Sequence, residues 1–419
     1  MIPLALEEVR ELVAGELDGE GPIAGVQIDS RRVRPGDLFV AVGRGAEYLA
    51  DARAAGAAAT LVPGNAHAAL AALGGAVRAR SAATVVGITG STGKTSTKDI
   101  LAALCATHRR TVAAEASFNN ELGVPLTLCR LEPDTEVCIV ELGMRGFGQI
   151  AALCAFAKPD IGLITHVGPV HLELVGSVEG VARAKAEVVA CLPSGGIAIA
   201  PVSPVLDPFL ARDDVDVRRF DPAAVELAGS RGLFDVRGTL VELELPFTAR
   251  HQAENTLAAL YAYEALGLPL ERAQEGVAAI ALSPWRGEEL PLAGGGFVVN
   301  DAYNANPTSM RAALLHLSER AAGRRRVAIL GEMAELGEQG PRYHGEIGAL
   351  LHELGIEVLV AIGPLARGYM DPGVETMRWL DRPEGFEDLL RPGDAVLVKA
   401  SRAAGLEGIA PALANEAVG

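Results

Sequence analysis

The stretch "ATVVGITGSTGKTSTKDILAALCATH", residues 83–108, limits the possible folds of this chain more than any other. A β-branched run enters a turn carrying Gly87, Gly90 and Gly93, and leaves it as a segment with Ile100, Leu101 and Leu104 at helical spacing. Strand, glycine turn and helix in direct succession form the unit of a mostly parallel sheet covered by helices. The turn also suits an anion, because glycines let the backbone approach it and the amides of a helix N-terminus face it. Lys94 is placed to reach terminal phosphates and Thr95 to set its hydroxyl on magnesium, with Gly90, Ser91, Thr92, Gly93 and Ser96 completing the loop. The strict GxxxxGK[ST] pattern needs glycine where Ile88 stands, and the spacing here is GxxGxxGKT. An ordinary glycine-rich turn is the alternative, and the loop alone leaves hydrolysis, kinase transfer and carboxylate activation open.

The 419 residues leave room for about three domains. Residues 1–82 read as a small mixed α/β domain, with apolar runs flanking the turn "RPGD". Residues 83–284 read as the central domain, with strands at "EVCIVELG", "DIGLITHVG" and "GGIAIAP" and a helix at "VEGVARAKAEVVACL". The run "WRGEELPLAGGG" breaks the periodicity, and residues 285–419 restart it through "FVVNDAY", "RRVAILGEM", "EVLVAIG" and "DAVLVKAS", a third α/β domain.

The formal charge of −16, without a long basic run, argues against a nucleic-acid partner. Five cysteines without a CxxC pair read as buried free thiols of a reducing compartment. The opening residues lack the pattern of a signal peptide, and the two charge-free stretches, 54–77 and 188–206, are interrupted by Gly and Pro. A cytoplasmic protein without a membrane span is expected.

Other candidates depend on their company. Glu141 ends an apolar strand, where a magnesium ligand beside a phosphate loop belongs, and where a surface acid is equally at home. His166 and His171 follow another strand in "HVGPVHLE". Lys185 falls on a helix, where a solvated lysine is the ordinary reading.

The chain resembles the ATP-dependent Mur ligases of peptidoglycan precursor synthesis, in their D-alanyl-D-alanine-adding branch. The segments that carry the resemblance are "VQIDSRRVRPGDLFVAV", "GITGSTGKTSTK", "SFNNELGVPLTLCRL", "ELGMRGFGQI", "HVGPVHLELVGSVEGVARAKAEV", "NDAYNANPTSMRAAL", "LGEMAELGEQGPRYHGEIG" and "LVKASRAAGLE", in that order along nearly the whole chain. The resemblance implies a UDP-sugar domain, an ATP domain with a phosphate loop and a Rossmann-like C-terminal domain. It implies a reaction in which ATP phosphorylates the terminal carboxylate of UDP-N-acetylmuramoyl-tripeptide and the amine of D-alanyl-D-alanine attacks the acyl phosphate.

By the same resemblance, Lys94, Lys185 and His171 are catalytic, and Thr95, Glu141, His171 and Lys185 hold magnesium, Lys185 as an N6-carboxylysine. Asn120, Asn255 and Asn304 meet the nucleotide, with Asn119 beside them, and Ser30 and Arg31 meet the UDP-sugar. Asp301, Tyr303 and Asn306 face the cleft, and Lys399, Ser401 and Arg402 form a C-terminal polar cluster. A monomer with small-molecule partners is expected.

Three features depart from the family pattern: the short "GRGAEYLADARAAG" lacks a "DGH" element, Glu332 stands where Asp is commoner, and "PVSPVLDP" follows "GGIAIA". The absence of "DNPR" separates the chain from the branch that adds the third amino acid. A non-catalytic nucleotide-binding protein is the reading of a different class.

Overall fold

A computed structural model describes residues 1–416. The chain packs as two compact units, the first made of Met1–Thr165, Arg183–Pro246 and Glu254–Ala281, the second of His166–Ala182, Phe247–Ala253 and the chain from Leu282 onward.

In the first unit a four-stranded sheet runs in the order Gly15–Gly19, Ala59–Pro63, Asp37–Val40, Gly25–Gln27, antiparallel at the first pair and parallel after it. Asp37–Val40 is buried throughout. The helix Ala66–Arg80 starts from Asn65, whose side chain accepts the amide of Ala68 at 3.0 Å, a helix cap. A Cβ on Gly74 of this helix would lie 2.9 Å from Pro125 Cα, so the glycine permits close approach to the helix Gly123–Leu128.

The same unit holds a six-stranded, wholly parallel sheet in the order Asp216–Phe220, Ile197–Pro201, Ile161–Ile164, Thr84–Thr89, Val137–Glu141, Thr111–Ala113. Val137–Glu141 and Ile161–Ile164 are buried at every residue, which is why they read as unbroken apolar runs. From Thr84–Thr89 the chain first builds the sheet on one side and then crosses to the other. Its C-terminal end is therefore the switch point where parallel sheets bind ligands.

Two features of the chain around this sheet were not expected. An antiparallel meander, Glu226–Ala228, Arg231–Val236 and Thr239–Glu244, follows the parallel sheet. The helix expected as one piece at "VEGVARAKAEVVACL" divides into Val178–Lys185 and Glu187–Ala190, with Ala186 at ψ −10° between them. There the Glu187 carboxylate accepts the amides of Gly148 at 2.6 Å and Ala151 at 3.1 Å, at the start of the helix Gln149–Ala157. An anion at that helix N-terminus is favourable, and it binds the division to a neighbouring element.

The second unit is a six-stranded sheet in the order Glu288–Pro291, Phe297–Asn300, Ala395–Lys399, Arg326–Gly331, Val358–Ile362, Thr376–Leu380, parallel except for its first strand. That edge strand lies in the stretch expected to break the pattern, since its exposed Glu288 and Glu289 hide it from a hydrophobicity reading. Val298, Val327, Ile329, Val360 and Val398 form the core with Ile409 and Leu413 of the C-terminal helix. The helix Pro307–Arg320 opens with a capping box, Asn306 Oδ1 accepting Ser309 N at 2.9 Å and Ser309 Oγ accepting Asn306 N at 3.0 Å. No described helix is long and apolar enough to cross a membrane.

Candidate functional site

The loop after Thr89 takes a shape that only glycine adopts cheaply, with φ +151° at Gly90 and +79° at Gly93, and the helix Lys94–Ala106 begins at the next residue. Lys94 Nζ donates to Gly90 O at 2.8 Å, so the lysine arches over the loop. Thr165 Oγ1 donates to Thr92 O at 2.5 Å, pinning the loop to the end of the next strand. A Cβ on Gly93 would sit 2.1 Å from Asn255 Oδ1, which places Asn255 directly behind the loop. Asn255 is interior to the helix Arg250–Ala265 and not at its cap.

At the start of the helix, Thr95 Oγ1 donates to Glu141 Oε2 at 2.7 Å and Asn119 Nδ2 donates to Glu141 Oε1 at 2.8 Å. Glu141 is only 1% exposed. A buried carboxylate is costly unless its oxygens are hydrogen-bonded, and these two donors meet that need. Of the asparagine pair, Asn119 reaches the acid, while Asn120 Oδ1 accepts the amides of Leu122 at 3.2 Å and Gly123 at 3.0 Å in the turn before the helix Gly123–Leu128.

Lys185 is also 1% exposed, against the ordinary expectation of a solvated helix face. Burial pushes its amine well below the usual lysine range; Lys94 pushes the same way, and Glu141 and Glu187 oppose them. The hydroxyl and carboxylate oxygens of Thr95 and Glu141 suit a hard cation such as magnesium, which binds few protein ligands and keeps several waters. Among the described residues no group of three or more His, Cys, Asp and Glu side chains is arranged to hold a metal.

The remaining candidates of the first unit are Ser30 and Arg31, in the turn Ser30–Arg32. Arg31 is exposed and forms a fork with Asp29, Nε to Oδ1 at 2.9 Å and Nη2 to Oδ2 at 2.7 Å.

His171 belongs to the second unit. Its Nδ1 lies 2.5 Å from Glu335 Oε2, a partner the sequence did not suggest. His166 is pushed below the usual histidine range by burial. At the C-terminal ends of the strands, Lys399 Nζ donates to Asp301 Oδ2 at 2.5 Å and to Asn304 O at 2.9 Å. Asn304 Oδ1 accepts the amide of Ala305 at 2.9 Å. Ser401 Oγ accepts the amide of Ala334 at 2.8 Å. The Arg286 guanidinium lies 4.0 Å from the centre of the Tyr303 ring, and that of Arg402 lies 4.6 Å from the Trp285 ring. Sequence reasoning passed over Arg286 because "PWRGEE" shows no periodicity.

Comparison with known proteins gives this geometry its setting. Residues 88–263 match the Mur ligase middle domain, and residues 285–402 match the Mur ligase, glutamate ligase domain. A UDP-N-acetylmuramoyl-tripeptide–D-alanyl-D-alanine ligase of Synechocystis is 37% identical over 361 residues, 81% of this chain and 76% of that protein. The crystal structure of MurF from Acinetobacter baumannii superposes with a TM-score of 0.86 at 25% identity, covering 99% of each chain. MurF from Thermotoga maritima, crystallised with ADP, does so with a TM-score of 0.80 at 26% identity, covering 94% of this chain and 98% of that one. With the phosphate loop, the buried Glu141 and the parallel sheets on which they stand, these likenesses place the chain in one family: it belongs to the Mur ligases.

Proposed function

We propose that this chain is an ATP-dependent ligase that joins D-alanyl-D-alanine to UDP-N-acetylmuramoyl-tripeptide, giving the UDP-linked pentapeptide, ADP and phosphate in peptidoglycan precursor synthesis. One observation carries the reading: a phosphate loop tied through Thr95 to a buried carboxylate, in a chain similar along most of its length to ligases of that one name. In our reading residues 1–82 hold the UDP-sugar, with Ser30 and Arg31 among its contacts, residues 83–284 hold ATP, and residues 285–419 complete the enzyme. It acts as a cytoplasmic monomer.

A carboxylate is a poor electrophile, and amide formation requires that one of its oxygens become a leaving group. The terminal carboxylate of the tripeptide attacks the γ-phosphorus of ATP, and ADP departs. The amine of the dipeptide then attacks the acyl carbon, and the C–O bond to phosphate breaks. The protein contributes charge neutralisation and alignment more than a strong nucleophile.

The loop amides from Gly90 to Ser96 and the Lys94 ammonium take the charge of the terminal phosphates. The fit of the loop to a nucleotide rests on its two positive-φ glycines and on Lys94, held against Gly90. Asn255 packs against the loop at Gly93, and in this reading it contacts the nucleotide, as do Asn120 and Asn304. Thr95 and Glu141 would hold magnesium, whose chemistry is to screen the phosphate charge and polarise the phosphoryl oxygens; His171, in the second unit, is read by itself as a magnesium ligand.

Lys185 has the environment of an amine that reacts with carbon dioxide. With its amine pushed well below the usual lysine range by burial, the neutral form of Nζ is favoured, and that form can make the N–C bond and release a proton, leaving a carbamate. The modification turns a cation into an anionic oxygen ligand for a second magnesium.

The test is the reaction itself. With ATP and magnesium, mass spectrometry should find UDP-pentapeptide only when tripeptide and D-alanyl-D-alanine are both supplied, and phosphate release should require both. Offering diaminopimelate- and lysine-containing tripeptides in competition fixes the third residue. Phosphate release that ignores both substrates would overturn the reading in favour of a nucleotide-binding protein that makes no amide.

A further inference from the structure

Of the residues in the second unit that adopt a conformation L side chains rarely take, two meet through their side chains. His171 has φ 52° and Glu335 has φ 63°. Neither is glycine, and for each the left-handed backbone crowds Cβ against the following carbonyl oxygen. Such strain persists where surrounding structure over-determines it, and it clusters at functional sites.

The bracing is visible on both sides. Around Glu335, the Met333 amide donates to His344 Nε2 at 3.1 Å, His344 Nδ1 donates to Gly340 O at 2.7 Å, and Ser401 N donates to Glu332 O at 2.9 Å. Around His171, the short helix Leu172–Val175 follows at once, and a Cβ on Gly337 would lie 3.3 Å from Glu173 Cα, so the segment after Glu335 rests against it. The two strained residues thus face each other across a close contact, with Nδ1 and Oε2 2.5 Å apart.

We propose that Glu335 is a positioning residue for His171: its carboxylate accepts the Nδ1–H, fixes the ring in that tautomer and turns the Nε2 lone pair outward as a ligand. The inference rests on the reading of His171 as a magnesium ligand. A carboxylate behind a metal-binding imidazole is a general device, and removing it typically weakens metal binding about 10–100-fold. Only a neutral ring with its proton on Nδ1 can donate to Glu335 and still ligate through Nε2.

The test uses the full chain and Glu335→Asn, because asparagine tolerates the left-handed backbone while its shorter, uncharged side chain withdraws from the ring. Nitrogen-15 NMR of histidine-labelled, metal-free protein should show the Nδ1–H tautomer at His171 in the wild type and its loss in Glu335→Asn. Glu335→Gln, whose amide oxygen has the same reach, should restore it. Titration with Mn2+, followed by electron paramagnetic resonance, should give about 10–100-fold weaker binding in Glu335→Asn and recovery in Glu335→Gln.

An Nε2–H tautomer in the wild type, or unchanged Mn2+ affinity in Glu335→Asn, would overturn the proposal and leave the ligase reading standing. Unchanged affinity in His171→Ala would overturn it by removing the ligand role on which it depends. Failure of pentapeptide synthesis in the wild type would strike the ligase reading alone.

Discussion

Gly93→Ala is the perturbation for which the structure gives the clearest magnitude. Gly93 sits at φ +79°, which costs an alanine about 1–2 kcal/mol. The added methyl would also stand 2.1 Å from Asn255 Oδ1, well inside contact distance, so the amide or the loop must shift by more than an ångström. Overpacking of this kind costs about 1–3 kcal/mol. Together the terms give about 2–5 kcal/mol of local destabilisation.

The two terms separate in a double-mutant cycle, because Asn255→Ala removes the overlap and leaves the dihedral cost. The double variant should fall short of additivity by about 1–3 kcal/mol. Hydrogen exchange at the amides of Lys94–Ala106 reads this free energy locally, which suits a chain that packs as two units and need not unfold in one transition. Affinity for a fluorescent ATP analogue should drop at least ~10-fold in Gly93→Ala, a loss of about 1.4 kcal/mol. Exchange within ~0.5 kcal/mol of wild type, or strict additivity with Asn255→Ala, would refute the reasoning that packs the loop against Asn255.

Three further outcomes follow from the same geometry. Lys185→Ala should abolish turnover in a way that bicarbonate cannot restore, whereas carbon-dioxide-depleted wild type should recover on adding it and show a carbamate carbon in 13C NMR with labelled bicarbonate; near-normal turnover in the variant would remove the carbamate. Cys191 should be the first thiol alkylated near neutral pH, since the Cys154 thiol donates to it and holds it below the usual cysteine range, while burial pushes Cys105, Cys129 and Cys138 up to about 12. Cys154→Ala should slow that labelling, and peptide mapping after iodoacetamide reads both results. Burial pushes His251 down from 6.5 to about 4, with His316 and Lys399 adding to it and Asp301 opposing. The unfolded chain therefore takes up a proton that the folded chain refuses. Stability is full above about pH 6.5 and falls by up to about 3 kcal/mol as pH drops toward 4, a slope that urea titrations of His251→Gln should show flattened.

The parts of the fold legible in the sequence are local ones. The strand, glycine turn and helix around Lys94 declare themselves because β-branched residues, positive-φ glycines and helical spacing act within a few residues of one another. The buried strands ending in Glu141 and Ile164 are legible because a parallel sheet covered on both faces reads as an unbroken apolar run.

What stayed hidden depends on distant partners. Nothing near Lys185 says that a helix lysine is fully enclosed, because the enclosure comes from packing of the whole unit. The neighbours Asn119 and Asn120 look alike in sequence, and only the fold sends one to Glu141 and the other into a turn. Glu335 takes a left-handed backbone in "EMAELG", where a glycine would have advertised it. The edge strand Glu288–Pro291 and the meander from Glu226 to Glu244 carry polar, half-exposed patterns that hydrophobic periodicity does not register.

The central claim is that the phosphate loop delivers its phosphoryl group to a peptide carboxylate and not to water. UDP-N-acetylmuramoyl-tripeptide labelled with 18O in its terminal carboxylate tests this in one turnover with ATP and D-alanyl-D-alanine. The account predicts that each pentapeptide formed is matched by one inorganic phosphate carrying a single 18O from that carboxylate. Phosphate free of the label, with the 18O recovered in unreacted tripeptide or in water, would contradict it.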